Sequence, residues 1–213
     1  MIETDGAAIA TFARPPDSEF LNNAMLLSGR EDLEAVFDTV ERVYRERDIR
    51  RYAVWVHESE SAASALQARS NSHDSSTRTM AMPIADLVGP DIANLDVIEL
   101  SPPEFWRVGG PANLLPELPA DRAHFHVCRS DGKSAATLLA FDHEGDCGIY
   151  MVETMPEVRR RGLATALSAH AVVEARKRGC TTASLQATPM AEGVYAKVGF
   201  RNLGRFDEYV PGG

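Results

Sequence analysis

Three arginines followed by a glycine form the stretch of this sequence that is best suited to binding chemistry. The run RRRG (159–162) follows an apolar segment typical of a strand and precedes small and apolar residues at helical spacing. The first amide groups of a helix have no internal partner and carry partial positive charge, so this turn is suited to a phosphate or pyrophosphate. A solvated helix start explains the same residues equally well. No P-loop or dinucleotide-binding glycine pattern is present, so both interpretations stay open on these residues alone.

Composition narrows the classes of protein in which this turn could lie. The chain has 213 residues and a net charge of -9, which argues against a broad nucleic-acid interface because such surfaces need excess positive charge. No apolar run is long enough to span a bilayer and the N-terminus is unlike a signal peptide, so no membrane association is expected. The three cysteines show no metal-binding or disulfide spacing, which favours a reducing cytoplasm.

The second half of the chain is predicted to supply the elements that position this turn. Alternating apolar residues and turn signals predict consecutive strands before it. A helix with a basic last turn is predicted from Leu163 to Arg178, ended by Gly179. The predicted strands are 95–100, 123–130, 134–141, 147–154, 181–187 and 200–210, with a short helix at 189–198.

The first half repeats the order helix, strand, short helix, strand. The predicted elements are an amphipathic helix at 31–49, a strand at 51–56, a short helix at 61–70 and a strand at 77–84, with polar loops at 59–64 and 70–76. The shared order indicates an internal duplication, and two unrelated segments of similar order are the alternative.

The arginine turn matches a family signature. Residues 159–164 follow the order Gln or Arg, two residues of any type, Gly, one residue, Gly or Ala, which resembles the signature of the GNAT N-acetyltransferase superfamily. The resemblance implies an α/β (α+β) GNAT fold, with a central mixed, mostly antiparallel sheet flanked by helices. It also implies that the turn binds the pyrophosphate of acetyl-CoA, chiefly through backbone amides. The implied residues are Arg159, Arg160, Arg161, Gly162, Leu163, Ala164 and Thr165.

A second segment carries the same resemblance. Ala191, Tyr195, Gly199 and Phe200 match the strand and helix that follow in the family, and Thr188 stands where the family usually has asparagine. The resemblance implies that Thr188 belongs to the cofactor site. It implies that Tyr195 is the general acid that protonates the departing thiolate. A tyrosine at the edge of the core, whose hydroxyl merely finds a partner, is the structural alternative.

The strand before the turn has an implied role as well. In the family this strand splays from its neighbour and its edge pairs with the pantetheine arm, which assigns Val152, Glu153 and Thr154 to the cofactor site. An amine must be neutral to attack a thioester, whereas an alkyl ammonium has a pKa of about 10, so a proton acceptor is needed. Glu153 is the candidate base. Contact with the substrate amine and a plain exposed carboxylate are equal alternatives for it.

Other polar residues near this strand receive no catalytic role. Asp142, Glu144 and Asp146 are expected to form a solvated acidic turn. His124 and His126 alternate along a strand without a third ligand, so they are expected to line a substrate cleft, and no metal is expected.

These residues together predict two regions with different roles. Residues 91–213 are the predicted catalytic domain and residues 1–90 a degenerate GNAT-like half, which lacks the signature, carries Glu31 and Asp32 before its helix, and has Leu66 at the place of Tyr195. The implied function is acetyl transfer from acetyl-CoA to a primary amine on a small molecule or peptide, by a monomer or homodimer. A non-catalytic acyl-CoA-binding module or sensor is the alternative.

Overall fold

The computed structural model describes residues 1–12, 18–27, 32–90, 94–108 and 118–212. They divide into two compact units, the first with residues 1–77 and 204–213 and the second with residues 78–203. The strands are β1 (Ile2–Glu3), β2 (Ala7–Ile9), β3 (Asn23–Leu26), β4 (Ala53–His57), β5 (Asn71–Pro83), β6 (Val97–Leu100), β7 (Ala123–Ser130), β8 (Lys133–His143), β9 (Asp146–Thr154), β10 (Thr182–Ala187) and β11 (Arg201–Pro211). The helices are α1 (Leu33–Glu46), α2 (Glu60–Ala68), α3 (Pro102–Val108), α4 (Leu163–Arg178) and α5 (Glu192–Ala196).

The second unit is built on a sheet with the strand order β5-β10-β9-β8-β7-β6. Neighbouring strands in this sheet are antiparallel, except for β9 and β10, which are parallel and are joined by α4. One face of the sheet packs against α4 and α5 around Leu138, Leu167 and Leu185, and the opposite face packs against Phe105 of α3. The predicted mixed, mostly antiparallel sheet with flanking helices is therefore confirmed.

Glycines at both ends explain the bounds of α4. Gly162 before the helix and Gly179 after it have left-handed φ angles of 80° and 102°, which residues with side chains rarely adopt. Arg176, Lys177 and Arg178 occupy the last turn, beside the negative end of the helix dipole. The predicted start and end of this helix are confirmed.

The second half of β9 separates from β10. Parallel pairing joins β9 to β10 as far as the pair Ile149 and Leu185, and no later pair is formed between the two strands, whose residues are all described. β9 continues to Thr154 and pairs over this stretch only with β8. One edge of its outer segment therefore stays free for another hydrogen-bonding group.

A β-bulge shapes this free segment. Leu139 lies opposite Tyr150 and Thr137 opposite Glu153, so Met151 and Val152 share one partner position on β8. Met151 has a left-handed φ of 53°. The bulge increases the local twist of β9 where it leaves β10.

The first unit has the strand order β1-β2-β3-β4-β11. β3 and β4 are parallel and are joined by α1, while the other neighbouring strands are antiparallel. α1 is amphipathic as predicted, and its buried face lies in a hydrophobic cluster with Val54, Val56 and Leu66. This unit therefore has its own core and its own β-α-β crossover.

The predicted repeat of element order is confirmed in both halves of the chain. The orders are α1-β4-α2-β5 and α4-β10-α5-β11. Residues 78–83 of β5 pair with β10 within the second unit, and residues 206–209 of β11 pair with β4 within the first unit. A gene duplication and a functional division at residue 90 stay predictions.

Two of the predicted loops are wrong. Residues 71–76 belong to β5, and residues 60–64 form the first turns of α2. In β5 the polar side chains find partners, since Ser75 and Ser76 donate to carboxylates of β11 at 2.6 Å each. In α2, Ser59 is the N-cap and accepts a hydrogen bond from the Ala62 amide. Serine-rich segments are compatible with a strand or a helix start when their hydroxyls are paired.

Candidate functional site

The turn between β9 and α4 leaves its backbone uncovered. It contains a single 3-10 turn, Pro156–Val158, followed by Arg160 with a left-handed φ of 64° and by Gly162. A Cβ added at Gly162 would have no atom within 4 Å, so a ligand has room to approach the backbone there. Two left-handed residues within one short turn give concave backbone of the kind that binds anions.

The first amides of α4 have no protein partner among the described residues. The first helical hydrogen bond runs from the Ala166 amide to the Gly162 carbonyl at 3.0 Å, so the amides of Leu163, Ala164 and Thr165 precede it. α4 has no side-chain cap and no acidic residue in its first turn. The positive end of the helix is therefore open to a phosphate group.

The three arginines of the turn differ in role. Arg159 Nε donates a hydrogen bond to the Thr154 carbonyl at 3.0 Å, which ties the turn to the end of β9. Arg160 and Arg161 are exposed. Arg159 therefore fixes the shape of the turn, whereas the other two add positive charge around it.

The strand residues predicted for the cofactor lie on the free segment of β9. Val152 and Thr154 are half-buried, and Val152 contacts the hydrophobic cluster that contains Tyr195. Leu163 of α4 contacts the same cluster. The strand, the turn and the helix that carries Tyr195 are therefore brought together.

Tyr195 is buried on α5. Only 8% of it is exposed, and its ring packs edge-on against Phe200 with centroids 6.1 Å apart. Burial raises the pKa of its phenol to about 12. The phenol therefore stays protonated at neutral pH and is suited to donating a hydrogen bond.

Glu153 and Thr188, the two other predicted site residues, are exposed. The Glu153 side chain forms no hydrogen bond or ion pair with the described residues. The Thr188 carbonyl accepts hydrogen bonds from the amides of Ala191 and Glu192 at 2.9 and 3.2 Å, so Thr188 closes the turn before α5. Within the described ranges, neither side chain forms a hydrogen bond with Tyr195.

The predicted solvated acidic turn is wrong for two of its three residues. Asp142 binds Arg178 through two hydrogen bonds of 2.6 and 3.0 Å, and Asp146 accepts hydrogen bonds from two hydroxyls of β10. Burial alone would raise the pKa of the Asp142 carboxyl, but the Arg178 guanidinium lowers it below its usual range. Only Glu144 is exposed as expected. The two aspartates therefore anchor α4 and β10 to the sheet.

The predicted cleft position is wrong for His126. It is 2% exposed and packs against His170 of α4 with ring centroids 5.4 Å apart. Burial lowers the pKa of His126 to about 4, and the neighbouring His170 adds to this shift. Within the described residues no three metal-ligating side chains are arranged to hold a metal, and the expectation of no metal stays a prediction.

The first unit has a different helix start. Asp32 caps α1 by accepting a hydrogen bond from the Ala35 amide at 3.0 Å, and Glu34 lies in the first turn. Glu31, predicted to repel phosphate together with Asp32, lies outside the described residues. A carboxylate thus occupies the position that a phosphate would need in this unit.

A sequence profile decides the family. The profile of the Acetyltransferase (GNAT) family matches residues 93–200, just over half of the chain. The chain belongs to the GNAT acetyltransferase family. No curated protein sequence matches it significantly.

Solved structures of low sequence identity share the fold of this GNAT chain. A GCN5-related N-acetyltransferase from Kribbella flavida has a TM-score of 0.75 at 19% identity, with 93% of this chain and 84% of that chain covered. A GCN5-related N-acetyltransferase from Sphaerobacter thermophilus has a TM-score of 0.63 at 14% identity, with 96% and 75% covered. A tandem GNAT protein from the clavulanic acid biosynthesis pathway has a TM-score of 0.61 at 16% identity, with 88% and 74% covered.

Two features of this GNAT site have no signal in the sequence. The bulge at Met151 needs a left-handed residue, yet no glycine or asparagine marks it. The pairing of β5 with β10 joins segments about a hundred residues apart, so no local pattern reports it.

Among the described residues no helix is long and apolar enough to cross a membrane.

Proposed function

We propose that this GNAT protein transfers the acetyl group of acetyl-CoA to a primary amine by direct attack on the thioester. The open start of α4 directly after the free segment of β9 is the observation that carries the proposal. In this arrangement the pyrophosphate lies on the amides from Arg160 to Thr165. The pantetheine arm adds to the free edge at Val152, Glu153 and Thr154 as an extra strand would.

The proposed chemistry needs one proton acceptor and one hydrogen-bond donor. The amine loses its proton to Glu153, directly or through water, and the nitrogen attacks the thioester carbon. A β9 amide stabilises the oxyanion that forms. The attacking nitrogen then gives its extra proton to water, the C–S bond of the tetrahedral intermediate breaks, and CoA leaves as a thiolate. Glu153 is favoured as base because its carboxylate is exposed on the free segment.

Tyr195 acts on the leaving sulfur in this proposal. An alkyl thiol has a pKa of about 8.5, whereas burial raises that of the Tyr195 phenol to about 12, so complete proton transfer to the thiolate is unfavourable. Tyr195 is therefore proposed to stabilise the thiolate by donating a hydrogen bond, and the thiolate takes its final proton from solvent. The general-acid role that the family resemblance implies for Tyr195 stays a prediction.

The remaining assignments follow from the same proposal. Residues 91–213 carry the catalytic machinery, and residues 1–90 form a degenerate half that does not bind CoA because Asp32 caps its helix. The acceptor is an amine on a small molecule or peptide. A cytoplasmic location stays the prediction made from the odd number of cysteines.

Thiol release tests this function directly. Purified protein is mixed with acetyl-CoA and a panel of primary amines, and free CoA thiol is measured with a chromogenic disulfide while CoA binding is measured by calorimetry. We expect thiol release that depends on the amine, with the acetylated amine confirmed by mass spectrometry. Binding of CoA without turnover of any amine would contradict the proposal and favour a non-catalytic acyl-CoA sensor.

A further inference from the structure

Arg78 lies where the sheet of the second unit opens. It pairs with Ala187, the last residue of β10, beyond the point at which β10 stops pairing with β9. Alternation along β5 places Arg78 on the same face as the buried Met80 and Met82, which is the face that carries α5. The Arg78 side chain therefore lies beside the helix that contributes Tyr195.

The charge of Arg78 is incompletely paired within the described residues. Its Nε is buried without a hydrogen-bond partner and lies 3.7 Å from Glu192 Oε2, too far for a hydrogen bond. Glu192 uses its other oxygen to accept a hydrogen bond from Asn202 at 3.0 Å. The Arg78 side chain is 37% exposed, so a ligand can reach it.

Thr79, the residue after Arg78, also has a buried polar atom, Oγ1, that lacks a hydrogen-bond partner among the described residues. Thr79 lies opposite Gln186, at the open end of the sheet. Buried polar atoms are nearly always hydrogen-bonded. Alternation along β5 puts the Thr79 side chain on the face opposite to Arg78, so only the unpaired Nε of Arg78 indicates a ligand on the face that carries α5.

We propose that Arg78 binds a carboxylate of the amine acceptor, which makes aminocarboxylates the substrate class. A guanidinium presents its donors in a planar fork that pairs with the two oxygens of one carboxylate. The long contact with Glu192 balances the charge when no acceptor is bound and yields to the acceptor when it enters. This inference rests on the proposed N-acetyltransferase function.

Matched pairs of amines test the inference. The pairs are benzylamine with 4-(aminomethyl)benzoate, butylamine with 4-aminobutanoate, and tryptamine with tryptophan, each measured as kcat/KM at saturating acetyl-CoA. We expect the wild-type protein to prefer the acid of at least one pair. In Arg78→Gln, kcat/KM for that acid falls about 10- to 100-fold, the effect expected from losing a hydrogen bond to a charged group, while the neutral amine changes little.

Three further variants separate recognition from folding. Arg78→Lys keeps the charge but loses the fork, so it restores part of the lost activity. Glu192→Gln removes the competing carboxylate and lowers KM for the acid. Arg201→Gln is the matched control, because Arg201 is an exposed arginine of the same unit that pairs with Asp86 at 2.7 Å and should leave the preference unchanged. CoA affinity measured for each variant reports whether the fold is kept.

The outcomes distinguish this inference from the proposed function. Equal use of both members of every pair by the wild-type protein, or an equal loss for both members in Arg78→Gln, overturns the inference alone. No turnover of any amine overturns the proposed function. In that case, calorimetric binding of 4-(aminomethyl)benzoate to CoA-loaded protein tests the role of Arg78. Equal affinity of the wild-type protein and Arg78→Gln for this acid then overturns the inference about Arg78. Phosphoethanolamine and ethanolamine form a further pair of substrates. If Arg78→Gln lowers kcat/KM for phosphoethanolamine but for none of the carboxylates, the assignment of a carboxylate ligand is overturned.

Discussion

The helices α1 and α4 begin in opposite ways although each joins two parallel strands. α4 begins after a left-handed glycine, with no side-chain cap and no acidic residue in its first turn. α1 begins after Asp32, whose carboxylate accepts a hydrogen bond from the helix, and Glu34 follows. The same β-α-β frame therefore presents an open positive end in one unit and a neutralised end in the other, and a few residues at the helix start decide which.

The strands that precede the two helices also differ, in how far each continues beyond its last pair with the parallel neighbour. β3 pairs with β4 along three of its four residues, whereas β9 continues for five residues beyond its last pair with β10. The short helices differ as well, because α2 buries Leu66 where the alignment of the two halves places Tyr195 of α5. Among its described residues, the first unit thus lacks the open helix start, the free strand edge and a phenol at the place of Tyr195, which together form the proposed site in the second unit.

A carboxylate placed at the start of α4 should have the largest effect of the changes considered, because it removes the main difference between α4 and α1. We expect Gly162→Glu to weaken CoA binding by at least about 100-fold, because it brings a carboxylate to the open amides as in α1. Calorimetric titration with CoA measures the loss.

Gly132→Glu is the control for Gly162→Glu. Gly132 has a similar left-handed φ of 73° and equally open surroundings, in the turn between β7 and β8. Both variants carry the same backbone strain of about 1–2 kcal/mol, so only the first should lose CoA. Equal losses would show that strain rather than charge at α4 was responsible.

Removing the phenol should have the next largest effect. Tyr195→Phe keeps the ring but cannot donate to the leaving sulfur, so kcat should fall about 10- to 100-fold. The dissociation constant for CoA should stay within about twofold, because Tyr195 is not proposed to bind the phosphates. Steady-state kinetics with calorimetry separate the two quantities, and a loss confined to CoA affinity would argue for a purely structural tyrosine.

Shortening Arg160 should have a smaller effect than changing Gly162. The backbone amides are proposed to bind the pyrophosphate and the exposed arginine adds only screened charge, so Arg160→Ala should weaken CoA binding about fivefold. The loss should shrink in high salt. Arg176→Ala, at the far end of the same helix, is the control. A loss as large as that of Gly162→Glu would reverse the ranking of backbone over side chain.

Removing the cap of α1 should affect stability alone. Asp32→Ala removes the hydrogen bond to the Ala35 amide and should lower the free energy of unfolding by about 1 kcal/mol. Because α1 is proposed not to bind CoA, the stoichiometry should remain one CoA per chain. Urea denaturation and calorimetry check the two parts, and a second CoA bound by the variant would show that Asp32 alone blocked a competent site.

The sequence predicted those elements whose signals are local. α4 was predictable because glycines bound it and basic residues end it, and α1 because its apolar residues recur on one face. The turn that is proposed to bind phosphate was predictable for the same reason, since a glycine and small residues must lie next to one another in the chain. These signals need no knowledge of the rest of the fold.

The remaining features depend on contacts between distant segments. Residues 70–76 read as a loop because their serines find carboxylate partners only on β11, more than a hundred residues later. The buried pair of Asp142 and Arg178 and the burial of His126 against His170 likewise arise only after α4 packs on the sheet. The pairing of β5 with β10 brings Arg78 beside α5, which no periodicity in the sequence indicates.

A crystal structure of the protein with CoA tests the central claim most directly. The account predicts one CoA per chain, with pyrophosphate oxygens roughly 3 Å from backbone amides between Arg160 and Thr165, and the pantetheine along the free segment of β9. Pyrophosphate bound at the start of α1, or bound anywhere without contact to the amides of the α4 turn, would contradict it.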